Sequence, residues 1–200
     1  GPLGRFQRNR AEMAWRRIII TLAVLLPLIG ILAYGFVRDP RYINSPLIGR
    51  PAAPFAVTLF DGKKLTLDDL KGKTVFLNFW ASWCPPCRAE ARDLEAAWQT
   101  FKDGDVLFLG IDIQDTDEDA RAYLKEFNIT YPNGRDLSGK VAVDFGVWGI
   151  PETFFIDPQG RITYKHVGSL GSALITAKLD EARRGIVSAK EGKGAYQSVR

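Results

Sequence analysis

Metal-binding and redox-active side chains are scarce in this chain: its 200 residues include two cysteines, one histidine and one methionine. A structural zinc site takes four ligands. With only Cys84, Cys87 and His166 on offer, no metal is expected, and no cofactor. An excess of basic charge is also lacking once the first 50 residues are set aside. Those residues hold eight Lys/Arg against two Asp/Glu, whereas residues 51–200 hold 19 against 21. The basic pI therefore belongs to the leading segment, and no nucleic-acid partner is expected. Internal repeats are absent. So is any charge between Ile18 and Val37, a run reading IIITLAVLLPLIGILAYGFV.

A helix of that length spans the roughly 30 Å of a bilayer's hydrocarbon core. Pro27 and Gly30 are tolerated in such helices. Residues 18–37 are accordingly read as a transmembrane helix, with the lipid bilayer as a partner. A cleaved signal peptide would have a shorter apolar core, of about 7 to 15 residues, and a small-x-small cleavage site. Here the bulky Tyr34 and Phe36 close the run. Arg5, Arg8, Arg10, Arg16 and Arg17 precede it, while Arg38 and Arg41 follow with Asp39 between. The positive-inside rule then places residues 1–17 in the cytoplasm and everything after Val37 outside. Gly1 to Gly4 match the scar of a cloning protease and carry no structural weight. Residues 38–50, proline-bearing, read as a semi-rigid tether. A folded domain is expected over 51–186, and a Gly/Lys/Ser-rich tail, 187–200, is expected to be loose.

Within the domain, PFAVTLF and KKLTL flank Asp61-Gly62, the pattern of a hairpin. TVFLNFW and DVLFLGID are nearly unbroken apolar runs, as in parallel strands buried on both faces. Cys87, Ala91, Leu94, Trp98 and Phe101 recur at helical spacing, which predicts an amphipathic helix from Pro85 to Phe101. DTDEDARAYLKEF opens with the acidic residues that favour a helix N-terminus. TFFIDPQGRITYKHV reads as two strands about a turn at Pro158 to Gly160, and Ser172 to Arg184 as a last helix. Strands alternating with helices give an α/β sandwich. His166 is read as a residue of an exposed strand, and Phe79 and Trp80 as packing.

The cysteines lie two residues apart in FLNFWASWCPPCRAE. Cys84 falls where the strand has ended and the helix begins. Pro85 and Pro86 occupy the first turn, where missing amide donors cost little. Unpaired N–H groups and the helix dipole stabilise a thiolate at that place. Cys84 is therefore the expected attacking sulfur. Cys87, one turn deeper on the inner face, is placed to resolve a mixed disulfide. A purely structural bridge competes with this reading, but so small a loop removes little entropy from the unfolded chain.

WCPPC after a buried strand, together with GVWGIPETFFID from Gly146 to Asp157, resembles the thioredoxin-like, membrane-tethered thiol-disulfide proteins of cytochrome c maturation, the CcmG/DsbE kind. The likeness runs from about Ile48 to Arg184. It implies a thioredoxin fold with an extra N-terminal hairpin and a redox-active Cys84–Cys87 disulfide. It also implies a cis-proline loop at Ile150-Pro151, whose edge backbone, Gly149 to Ile150, pairs with an extended substrate. Ordinary thioredoxins carry a buried aspartate six positions before the first cysteine, where this sequence has Asn78. Glu90, on the same helical face as Cys87, is the alternative proton carrier, and Glu152 of the PET motif is a second acidic group. Both are expected to raise cysteine pKa values and make the dithiol more reducing. Trp83 and Trp148 are read as an apolar rim around the disulfide, with Pro85, Pro86 and Pro151 beside them in contact with substrate.

The resemblance further implies a periplasmic reductant anchored in a bacterial inner membrane. Its client would be apocytochrome c, through the CxxCH thiols, or another disulfide protein. A membrane thiol donor would recharge it, and haem-lyase or other maturation components could join it. Two alternatives stand beside this reading: a general periplasmic reductase or oxidase of other clients, and a non-catalytic module that holds apocytochrome.

Overall fold

A computed structural model describes residues 2–37 and 45–199. The chain divides into two units, Gly1–Ile43 and Asn44–Arg200. Among its described residues the first contains a single helix, α1 (Pro2–Val37). It extends well before Ile18, because the arginines, alanines and Glu12 of that stretch are good helix formers. Trp15–Leu32 makes it long and apolar enough to cross a membrane, and none of that window is buried in the protein. Most of the tether, 38–44, lies outside the described residues.

The second unit is built on an eight-stranded mixed sheet. Its strands, in chain order, are β1 (Ala56–Leu59), β2 (Lys64–Thr66), β3 (Thr74–Trp80), β4 (Val106–Asp112), β5 (Asn133–Arg135), β6 (Gly149–Ile150), β7 (Glu152–Ile156), β8 (Ile162–Val167), β9 (Gly192–Lys193) and β10 (Gln197–Ser198). The helices are α2 (Pro85–Phe101), α3 (Asp117–Glu126), α4 (Lys140–Asp144) and α5 (Ser172–Arg183). The main sheet runs β2-β1-β5-β4-β3-β7-β8-β9, and β6 and β10 form a two-stranded sheet of their own. β3 is parallel to β4 and antiparallel to β7, and no residue of β3 is exposed on either face.

Alternation along β3 sorts its side chains. Phe76 joins Phe108, Phe155, Leu94, Ile175 and Leu179 in one core cluster. Val75, Leu77 and Phe79 join Phe145, Phe154 and both cysteines in the other. Asn78 is two residues from Phe76 and so shares its face, the one that α2 and α5 cover. The hairpin, the helix Pro85–Phe101 and the β7–β8 pair all lie where the sequence pattern predicts them. β5 and α4 carry no sequence signal: three residues reading Asn-Gly-Arg cannot alternate, and five cannot show a helical period.

Two boundaries need correction. The domain takes in the end of the expected tether, for Gly49 N–H donates to the Ile162 carbonyl at 2.7 Å and Ile162 N–H to the Arg50 carbonyl at 2.9 Å. The tail, 187–200, is expected to be loose, but within its described residues β9 joins the main sheet beside β8 and β10 pairs with β6. Glycine makes the fit possible. A β-carbon on Gly194 would come within 2.5 Å of the Ser169 carbonyl oxygen, so only a bare backbone lies so flat there. The same segment covers His166, which is buried rather than exposed and hydrogen-bonds the Tyr164 hydroxyl at 3.3 Å. Burial lowers the pKa of its imidazole.

Candidate active site

Residues 81–84 carry the chain from the end of β3 into α2, and the loop after β4 pins them. Ser82 donates its N–H and its hydroxyl to the Asp115 carboxylate, at 2.6 and 2.9 Å. Trp83 Nε1 donates to the Gln114 carbonyl at 2.9 Å. Cys84 is the helix N-cap, its sulfur accepting the Cys87 N–H at 3.2 Å. That N–H is one of the donors every helix start leaves unpaired. Pro85 and Pro86 fill the first two helical positions, one exposed and the other half-buried. Cys84 and Cys87 are joined as a disulfide. A sulfur held this way meets the positive end of the dipole, so the thiolate formed when the bridge opens is stabilised by the same N–H. Both cysteines are 0% exposed.

Facing the bridge is the loop between β6 and β7, where the Ile150–Pro151 peptide bond is cis. The Ile150 carbonyl oxygen lies 3.6 Å from Cys84 Sγ. Trp148, before the loop, is 40% exposed, and Trp83 is 44% exposed. The backbone edge of Gly149–Ile150, expected to be open, is paired with Gln197–Ser198. The ring of Tyr196 meets Trp148 edge-on, centroids 4.8 Å apart.

Glu90 is buried one turn beyond Cys87. Its carboxyl accepts from Asn78 Nδ2 at 3.1 Å and from Leu170 N–H at 2.9 Å. Asn78 also donates to Thr153 Oγ1, its neighbour across the β3–β7 ladder, at 3.0 Å. Burial outweighs these donors and pushes the Glu90 pKa up to about 8. At neutral pH with the bridge closed the group is therefore mostly protonated, and it does not supply the negative charge expected of it.

Glu152 is fully buried and forms an ion pair with Lys165 at 2.6 Å. It also accepts the N–H groups of Trp148 and Gly149, at 3.2 and 3.4 Å. Burial raises its pKa to about 7 against the pull of Lys165. Its hydrogen bonds hold the backbone that leads into the proline loop.

Sequence reasoning missed Asp115, Thr153, Lys165 and Tyr196. Asp115 was one acid among many in an acidic stretch, and Lys165 stood in an alternating strand that read as exposed. Tyr196 lies in the segment expected to be loose.

Residues 48–165 match the AhpC/TSA family. The chain belongs to that family. Within it, the chain is a thiol:disulfide oxidoreductase with a thioredoxin fold. It is 38% identical over 158 residues to the thiol:disulfide interchange protein DsbE of Allochromatium vinosum, covering 78% of this chain and 86% of that one. To the thiol-disulfide oxidoreductase ResA of Bacillus cereus it is 33% identical over 151 residues, covering 75% and 86%. The crystal structure of a thioredoxin-family thiol:disulfide interchange protein from Chlorobium tepidum superposes with a TM-score of 0.62 at 29% identity, over 72% of this chain and 98% of that one. A module that only holds apocytochrome fits poorly with such relatives. For this AhpC/TSA member, Cys84–Cys87 is the only disulfide among the described residues.

Proposed function

We propose that this oxidoreductase reduces protein disulfides on the periplasmic side of a bacterial inner membrane, with the CxxCH cysteines of apocytochrome c as clients in cytochrome c maturation. The observation that carries this reading is the buried carboxyl of Glu90 on the helical face of Cys87. In the dithiol form, the Cys84 thiolate attacks one sulfur of the client disulfide. The client's S–S bond breaks, a mixed disulfide forms, and the other client sulfur leaves as a thiolate. Cys87 then gives its proton to Glu90, in the minority of molecules whose carboxyl is ionised at neutral pH, and attacks Cys84 Sγ. The second client thiolate departs, and the chain is left oxidised with Glu90 protonated. That end state agrees with a Glu90 pKa of about 8 in the disulfide form.

Asn78 and Leu170 N–H position Glu90, and Glu152 positions the proline loop. Trp83, Pro85, Pro86, Trp148 and Pro151 make the rim that a client touches, and the Gly149–Ile150 edge takes its extended backbone. α1 anchors the chain in the bilayer. A membrane thiol donor recharges the pair by the reverse steps, and haem-lyase or other maturation components receive the freed thiols.

Cys87→Ala in native membranes removes the resolving thiol. Cys84 is then expected to stall as mixed disulfides whose mass spectra contain CxxCH peptides and the donor. Recovery of no adduct would sink the exchange chemistry. A reduction potential near or above about −120 mV, typical of a strong oxidant, would sink the direction.

A further inference from the structure

Residues 186–199 leave α5 and run along the outer edge of β8 towards the disulfide. Ser188 N–H donates to the Thr163 carbonyl at 2.8 Å, and β9 then runs parallel to His166–Val167. Ser169 N–H donates to the Ala195 carbonyl at 2.9 Å, and β10 pairs antiparallel with β6. This register puts Gln197 opposite Ile150, the residue whose carbonyl lies beside Cys84 Sγ. Tyr196 lays its ring over Gly149, where a β-carbon would come within 2.8 Å of it, and turns an edge to Trp148. Val199 N–H donates to the Trp148 carbonyl at 3.3 Å.

The grip is uneven along this strap. Its first part lies against β8, with a backbone fit that tolerates no side chain at Gly194. Its last part is a strand of two residues, both exposed, in a sheet apart from the main one. Short exposed ladders of this kind open locally at little cost. Both cysteines are fully buried, and exchange requires a foreign sulfur to reach Cys84, so the closed arrangement around it has to open locally. Ser198 and Val199, at the end of the strap, help line a groove of about 720 Å3 together with Leu137, Val143, Val147 and Trp148. Leu137 and Val143 are largely exposed there.

We propose that Ala195–Val199 is a built-in competitor for the client site: it occupies the Gly149–Ile150 edge until an extended client segment displaces it. The client that fits is one bearing an aromatic ring next to the residue facing Ile150, as Tyr196 stands next to Gln197. This rests on the reading of that edge as the client's docking strand. When only a fraction of molecules have the edge free, the apparent affinity for a client falls by that fraction. A net closing free energy of about 1.4 kcal/mol, the balance of the strap's contacts against the cost of ordering five residues, leaves about one molecule in ten open.

The test compares the full chain in detergent with the same chain ended after Gly194, both reducing a synthetic CxxCH peptide disulfide. The shortened chain is expected to show a KM about tenfold lower with kcat little changed. Added AYQSV peptide should bind it with one-to-one stoichiometry by calorimetry and restore the higher KM by competition, whereas AAQSV should not. Tyr196→Ala in the full-length chain keeps the backbone intact and should give an intermediate KM. Equal KM values for all three chains, or no binding of AYQSV, would overturn the strap's role while exchange itself persists. Failure of every chain to reduce the peptide would overturn the functional reading and the strap with it.

Discussion

Burial keeps a proton on Glu90 to about pH 8, whereas an exposed glutamate releases it near 4.5. Between those values the folded state binds more protons than the unfolded one, so this group lowers stability as pH rises through the window and adds no further change above it. Glu90→Gln removes the effect. Its stability relative to the native chain should improve by about 2 to 5 kcal/mol between pH 5 and pH 8, read from denaturant midpoints of the oxidised protein. The same substitution should slow client reduction at pH 7 by about 100-fold, in line with the loss of a general base, and flatten the pH–rate profile. The Glu152–Lys165 pair allows a second comparison. Lys165→Met alone leaves a buried carboxylate unpaired and should cost about 3 to 5 kcal/mol, most of which Glu152→Gln in the same chain should restore. Cys84, Cys87 and Glu90 could be found from sequence because they share one helix, whose period is visible along the chain. Lys165 could not, since its partner lies on a neighbouring strand and only the β7–β8 register brings them together.

At the scale of elements, the site rests on the junction of β3 with α2. Phe76 stacks on Phe108 with centroids 4.3 Å apart and meets Phe155 edge-on at 5.2 Å, which fixes the strand beneath the helix. Phe76→Ala should cost about 3 to 5 kcal/mol in denaturant titration. It should leave the reduction potential nearly unchanged, because no atom of Phe76 belongs to the disulfide or its hydrogen bonds. Long apolar runs and the α2 period announced these elements. β5, α4 and the strap did not announce themselves. Their existence depends on what lies beside them: β5 on β4 and β1, the strap on the free edge of β8 and on a glycine whose missing side chain leaves no hydrophobic signature.

For the whole molecule, the proposed topology rests on the uncharged run in α1 and the arginines before it. The chain is expected to stay in the membrane fraction through alkaline carbonate washing. In spheroplasts, added protease should remove the domain and spare residues 1–17, and the opposite pattern would reverse the orientation. The sequence expects a leading apolar helix, a tether over 38–50 and a folded domain from 51, and the structure divides the chain near residue 44. The membership of residues 45–50 and 187–199 in the domain is not legible, because both are short backbone additions, the first to β8 and the second to β8 and β6.

β2 at one margin of the sheet is three residues long, and β9 at the other is two. Stubs of this length offer little template for a neighbour's backbone. On the proposed anchor, copies crowded on one leaflet should therefore resist zipping together into intermolecular ribbons, even when a departing client leaves β6 bare.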